Sequence, residues 1–322
     1  MLTEEKRRSI LKRLEVPSRK IDAVLDTDAY NEIDDQFAIS YMLTCRERIN
    51  ILAFYAAPFY NSNSTGPKDG MERSYAEIKR LLTLSGNEKY IPVTYPGSTE
   101  YLPNEQTPID SPAARDLVRL ANEHTEDDPL YIVAIGAITN VASALLLDPT
   151  IADRIVIVWL GGHVHSKEGE IAGANFRRPQ HPAGEFNMKQ DIAGARVLFN
   201  SGAPIVQLPC FGVVDKFSIN KEGLISALEG KNALCDYLLE HSISQADRDA
   251  KGAEWRRVIW DVTAIAWLTN DGGRFMHDRI VAAPIPEYDL SYSFDESRNP
   301  IRYVDEIKVE ALFAELFGKI TK

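Results

Sequence analysis

The sequence predicts an α/β fold: a mostly parallel central sheet flanked by helices, with the functional site at the carboxyl edge of the strands. Short apolar runs of strand length alternate with longer runs of helical period, the order expected when helices cover a parallel sheet. One run, Ile155 to Leu160, is apolar at every position, as in a strand buried on both faces. Two stretches rich in loop-forming residues, 57–72 and 161–185, each follow a predicted strand. Both therefore belong at the carboxyl edge, where open α/β sheets bind ligands.

The elements follow in order. Residues 4–15 have helical spacing, with Ile10, Leu11 and Leu14 able to share one face. This helix is read as an N-terminal extension over residues 1–19, ahead of a single domain over 20–322. The first strand is Ala23 to Leu25, followed by acidic residues and a helix from Asp34 to Cys45. A second strand covers Ile51 to Tyr55. Helices are expected over Ser74 to Leu84 and Ala113 to His124, then a strand over Tyr131 to Ile135. Residues 136–140 turn into a helix from Val141 to Leu147. After the 155–160 strand come a helix over Ile192 to Asn200, a strand over Ile205 to Leu208, and a late core helix over Asp261 to Leu268.

Composition narrows the function. The chain has 322 residues, 44% of them hydrophobic, and a net charge of −11. That field repels a nucleic acid or an anionic membrane and favours a bound cation or a small neutral substrate. Three cysteines, Cys45, Cys210 and Cys235, make no disulfide framework and no zinc spacing. The first twenty residues carry charges throughout, unlike a secretory signal. No apolar run approaches the roughly 18 residues of a membrane span. A cytoplasmic location is expected.

The sharpest feature is Leu25-Asp26-Thr27-Asp28-Ala29-Tyr30-Asn31-Glu32-Ile33-Asp34-Asp35, with its carboxylates crowded directly after an apolar strand. Crowded carboxylates resist ionisation, and a divalent cation removes that penalty. All-oxygen ligands select calcium or magnesium. Asp34 and Asp35 fall where a helix begins, and its positive end favours their charge. The plainer alternative is an N-cap followed by a solvated acidic turn. An EF-hand lacks its required Gly and Glu here, and the Asp-x-Asp of haloacid-dehalogenase-type phosphatases lacks its Gly-Thr continuation.

Three later segments join this cluster: Ile132 to Ala142 with Gly136-Ala137-Ile138-Thr139-Asn140, Gly161-Gly162 followed by Gly184-Glu185-Phe186-Asn187, and Trp260-Asp261-Val262-Thr263-Ala264. In this order the four segments, spanning roughly residues 20–270, resemble the inosine–uridine-type nucleoside hydrolases, whose signature is Asp-x-Asp-Pro-Gly-x-Asp-Asp. The resemblance implies a nucleoside-hydrolase-like, Rossmann-like sheet and a calcium-dependent hydrolase cleaving the N-glycosidic bond of ribonucleosides to ribose and free base, as in purine and pyrimidine salvage. It implies calcium bound by Asp28, Asp35, Asp261 and the backbone carbonyl of Ile135, with Asp28 also acting as general base on a calcium-bound water. It places Asp34, Glu185 and Asn187 on the sugar hydroxyls. The expected partners are a small riboside and further copies of the chain, as a dimer or tetramer.

The chain departs from that pattern. Ala29-Tyr30-Asn31-Glu32 replaces Pro-Gly and lengthens the loop; Asn31 or Glu32 reaching the sugar and a longer solvated turn both fit. The family's His before the last Asp is Trp260, which stacks on rings but donates no useful proton. His163, His165 and His181 in the 161–185 loop are candidates for the missing acid, with structural roles as the alternative. Asn61, with Asn63 beside it, and Asn175 are the candidates for the family's remaining sugar-binding Asn residues. Arg177 and Arg178 either meet an anionic group or are simply solvated. The altered loop and the missing His leave two other functions open: hydrolysis of another pentofuranoside or sugar derivative, or calcium-dependent sugar binding without catalysis.

Overall fold

The computed structural model describes residues 3–165 and 184–322. Its strands in chain order are β1 Ile21–Thr27, β2 Ile49–Ala56, β3 Thr94–Pro96, β4 Leu130–Ala134, β5 Ile155–Leu160, β6 Ile205–Leu208, β7 Ser218–Asn220, β8 Arg256–Val258, β9 Met276–Ala282, β10 Ile285–Pro286, β11 Tyr292–Ser293 and β12 Pro300–Ile307. Eight of them form one sheet in the order β3-β2-β1-β4-β5-β6-β12-β9. Every pairing is parallel except that of edge strand β9, which runs antiparallel to β12. From β1 the chain winds outward through β2 to β3, then returns to the other side of β1 for β4. That reversal opens a crevice at the carboxyl ends of β1 and β4, the topological switch point.

The helices are α1 Glu4–Arg13, α2 Asp34–Thr44, α3 Pro67–Leu84, α4 Pro112–Asn122, α5 Thr139–Leu147, α6 Phe186–Gln190, α7 Ile192–Asn200, α8 Lys221–Leu228, α9 Ala233–Ala250, α10 Val262–Trp267 and α11 Val309–Ile320. They divide into two layers, because side chains on a strand alternate between faces. Ala23, Leu25, Val133, Val156 and Val158 face a core shared with α2, α3, α10 and α11. Val24, Ile132, Ala134, Ile157 and Trp159 face a second core shared with α4, α5 and α7. This double coverage is why β5 is apolar throughout. Helix α1 also contributes, with Ile10 and Leu14 fully buried in the first core.

Several boundaries differ from the sequence reading, most of all at α3 and β1. The loop expected over 57–72 ends earlier, because α3 begins at Pro67, a residue suited to a first helical turn. Strand β1 extends beyond Ala23 to Leu25 at both ends, through ladder pairing with β2. Among the described residues, no helix is long and apolar enough to cross a membrane.

Candidate active site

Strand β1 delivers Asp26 and Asp28 to the switch point. Asp26 is buried at the strand end, and its Oδ1 accepts a hydrogen bond from Asn140 Nδ2 at 2.7 Å. Burial pushes the Asp26 carboxyl up to about 7, opposed by that bond. The same amide donates to the Ala56 carbonyl at 3.2 Å, and Asn140 Oδ1 accepts from the Ser98 backbone at 2.7 Å. Asn140 therefore ties together the ends of β1, β2 and β3, which gives the first turn of α5 its structural purpose.

The chain then turns, with the Asn31 N–H donating to the Asp28 carbonyl at 2.7 Å, and enters α2. Asp34 and Asp35 occupy the first turn of that helix. Asp261, at the start of α10, approaches from the far end of the chain. Carboxylate oxygens of Asp34, Asp35 and Asp261 lie within 4.8 Å of one another, and all three residues are buried. Burial and then neighbouring carboxylates push Asp34 and Asp261 well above the usual range. Asp35 rises to about 7 through burial, restrained by a hydrogen bond from Thr27 Oγ1.

Asp28 stands beside this trio. Its carboxyl is pushed up by burial and by the charges of Asp35 and Asp34. Both its oxygens are buried and without a hydrogen-bond partner among the described residues. A Cβ on Gly136 would lie 2.8 Å from Asp28 Oδ1, so the residue after Ile135 has little room for a side chain. Four crowded buried carboxylates and two unpartnered oxygens fit a divalent cation, because such groups stay ionised only when paired or metal-bound. The sequence reading put Asp28 among the ligands and Asp34 on the sugar. The tightest trio contains Asp34, with Asp28 adjacent.

Asp34, Asp35 and Asp261 open into a pocket of about 160 Å³, whose lining does not include Asp28 beside them. Its lining includes Asp34, Asp35, Ile135, Glu185, Asn187, Trp260 and Asp261, all singled out from sequence, together with Asn31 and Glu32 of the lengthened loop. Glu185 caps α6, its carboxylate accepting from the backbone N–H groups of Asn187 (2.9 Å), Met188 (2.9 Å) and Gly162 (2.6 Å). Trp260 meets Phe211 edge to face, with ring centroids 6.0 Å apart. Polar atoms form the floor of the pocket and aromatic rings one wall.

Other expected residues lie elsewhere. Asn61 does not line the pocket; its amide donates to Asn31 Oδ1 at 2.5 Å and so supports a residue that does. Asn63 donates to the Asn31 carbonyl at 2.8 Å. His163 places its two ring nitrogens against backbone carbonyls, Val164 at 3.0 Å and Leu290 at 3.1 Å. His165 sits 2.8 Å from Gln207 Oε1, and burial lowers its pKa to about 4. Asn175, Arg177, Arg178 and His181 lie outside the described residues.

Several contributors were not read from sequence. Phe211 and Cys210 follow β6, so the carboxyl-edge rule that flagged the two long loops would have found them. The Tyr101 hydroxyl is buried without a partner among the described residues, and burial, then the Asp28 charge, raises its pKa. Nothing in its sequence surroundings marks it.

Comparison with known proteins agrees with this geometry. The family model described as inosine-uridine preferring nucleoside hydrolase matches residues 23–310. A pyrimidine-specific ribonucleoside hydrolase, RihB of Escherichia coli O1:K1, is 31% identical over 114 residues; the match spans 32% of this chain and 33% of that protein's length. A plant nucleoside hydrolase, PpNRh1, has the same fold, with a TM-score of 0.71 at 21% identity, covering 94% of this chain and 99% of its own. A purine-preferring ribonucleoside hydrolase from Gardnerella vaginalis gives a TM-score of 0.68 at 19% identity, covering 93% and 98%.

Proposed function

We propose, from the premise that this chain belongs to the inosine-uridine preferring nucleoside hydrolase family, that it hydrolyses the N-glycosidic bond of a ribonucleoside, with Asp28 as general base and calcium as its cofactor. The observation that carries the reading is the buried carboxylate group at the floor of the pocket, with both Asp28 oxygens unpartnered beside the Asp34, Asp35 and Asp261 trio. Asp28, Asp35, Asp261 and the Ile135 carbonyl are the groups that would hold the ion, with Asp34 crowded against them and left to hold a sugar hydroxyl. When bound, calcium supplies a site for a vicinal diol and lowers the pKa of water.

The chain's own residues supply the rest. Asp28 accepts a proton from the attacking water as its oxygen bonds to C1. The C1–N bond breaks, and its electron pair leaves with the base. Positive charge develops on the sugar, as in other glycoside hydrolyses, and the surrounding carboxylates stabilise it. Glu185 and Asn187, fixed at the start of α6, are placed to hold sugar hydroxyls. Trp260 offers a ring face to the leaving base.

Ribose release from purine and pyrimidine ribonucleosides, with calcium and with a chelator, tests this. Release is expected with calcium only. The matching 2′-deoxynucleosides should react at least roughly 10²-fold more slowly, because a site built to hydrogen-bond a hydroxyl rejects a substrate lacking it. No ribose from any ribonucleoside in the presence of calcium would overturn the reading.

A further inference from the structure

We propose that Tyr292, on the β10–β11 hairpin outside the central sheet, is a positioning residue for Glu185 and Asn187 that acts through Gly162, an inference that rests on the ribonucleoside reading above. Gly162 follows β5 in the left-handed region, with φ of 79°. A Cβ there would collide with the Tyr292 hydroxyl and come within 3.0 Å of Gln207 Nε2. The hydroxyl therefore occupies the space that glycine leaves. It accepts a hydrogen bond from Gln207 Nε2 at 3.1 Å, and the same amide donates to the Gly161 carbonyl at 3.1 Å. Tyr292 and Gln207 together fix the Gly161–Gly162 backbone.

That backbone holds Glu185. Two of the three N–H groups on the Glu185 carboxylate, those of Asn187 and Met188, belong to the helix that Glu185 itself caps. The third, from Gly162, reaches it from 23 residues away in the chain. The hairpin also braces both neighbours of this contact. The His163 ring packs against Tyr292 with centroids 4.5 Å apart. Gly184, just before Glu185, has φ of 65° and leaves room for Leu290, since a Cβ there would sit 3.1 Å from Leu290 Cβ. The hairpin in turn is held by Arg196, whose guanidinium donates to the Pro286 carbonyl at 2.5 Å. Without the hydroxyl, the Gly162 peptide keeps its bonds to Cys210 and Gln207 but loses the oxygen packed against its Cα and the second anchor of the Gln207 amide, so its N–H holds Glu185 less firmly.

The test is Tyr292→Phe in the calcium-loaded protein, read by amide hydrogen exchange and by steady-state kinetics on the best ribonucleoside. Exchange at Gly162, Asn187 and Met188 should speed up about tenfold, the scale of one lost hydrogen bond. Amides elsewhere and the Tm should stay as in the parent. KM should rise by a similar factor with kcat changed far less, because sugar binding is lost in ground and transition states alike. Gly162→Ala should be more damaging alone than in the Tyr292→Phe background, where the colliding oxygen is gone. Unchanged exchange at those three amides would overturn the proposal. So would a general loss of Tm, which would assign Tyr292 to the fold. A parent protein that cleaves no riboside would sink the ribonucleoside reading instead, while the exchange data would still judge the Tyr292 contact.

Discussion

The Asn187 side chain donates to two backbone carbonyls at once, Ile135 at 3.2 Å and Leu160 at 2.9 Å. These carbonyls end the neighbouring parallel strands β4 and β5, so one amide spans the floor of the pocket. It also orients the Ile135 carbonyl, one of the groups proposed to hold the cation. Outer partners of metal ligands typically contribute 10–100-fold to affinity. Asn187→Ala is therefore expected to weaken calcium binding by roughly tenfold or more, measured by calorimetry on chelator-stripped protein. Calcium affinity equal to that of the parent would show that the carbonyl needs no such support.

Five strands of the central sheet, β1, β2, β4, β5 and β6, were legible because each carries a run of buried apolar residues; β5, apolar throughout, is the clearest case. The C-terminal third was not. Strand β12, Pro300–Ile307, contains Arg302, Asp305 and Glu306, and Arg302 hides its charge in an ion pair with Asp278 at 2.6 Å. A half-buried pair of that kind erases the apolar signal from which a strand is recognised. Helices α8 and α9 keep largely polar outer faces. Within the site, the acidic cluster and its three partner segments were readable as ordered motifs. Tyr101 and the hairpin carrying Tyr292 were not, because their roles depend on which distant segments the fold brings together.

Asp28→Asn separates chemistry from folding. The parent buries this carboxyl against the charges of Asp34 and Asp35 without a hydrogen-bond partner among the described residues. A neutral amide of the same shape removes that repulsion and cannot accept the proton from water. The expected outcome is a loss of kcat on the order of 10³-fold, with the Tm of the chelated protein unchanged or raised. A variant with near-normal kcat would remove Asp28 from the role of base.

His165 gives the fold a pH dependence of known sign. Burial holds its folded pKa at about 4, below the ordinary 6.5. Between those values the unfolded chain binds the extra proton, so stability is fully present above pH 6.5 and falls as pH drops toward 4. A shift of this size corresponds to on the order of 3 kcal/mol. Tm measured from pH 7 to pH 4.5 should decline, and His165→Gln should flatten that part of the curve. A ring that is neutral near pH 7 is also a weak general acid, so kcat should not follow the state of His165. An activity limb that tracks this residue would contradict the structure.

Trp260 is proposed to act on the leaving base. Neither His163 nor His165 lines the pocket; His163 turns both ring nitrogens, and His165 its Nε2, to acceptors within the protein. Trp260 does line it, braced edge-on by Phe211. Stacking of an aromatic pair contributes about 0.5–1.5 kcal/mol beyond area burial, so Trp260→Ala should cost roughly tenfold or more in kcat/KM on a nucleoside. A nitrophenyl riboside also carries a ring, but it leaves without protonation. If Trp260 only binds the leaving group, both substrates should lose kcat/KM alike. If stacking helps the base to depart, the nucleoside should suffer selectively and in kcat. His163→Ala and His165→Ala, assayed beside it, should leave the ratio between the two substrates unchanged. A selective nucleoside defect in either histidine variant, with Trp260→Ala close to normal, would move leaving-group activation from the aromatic wall to that histidine.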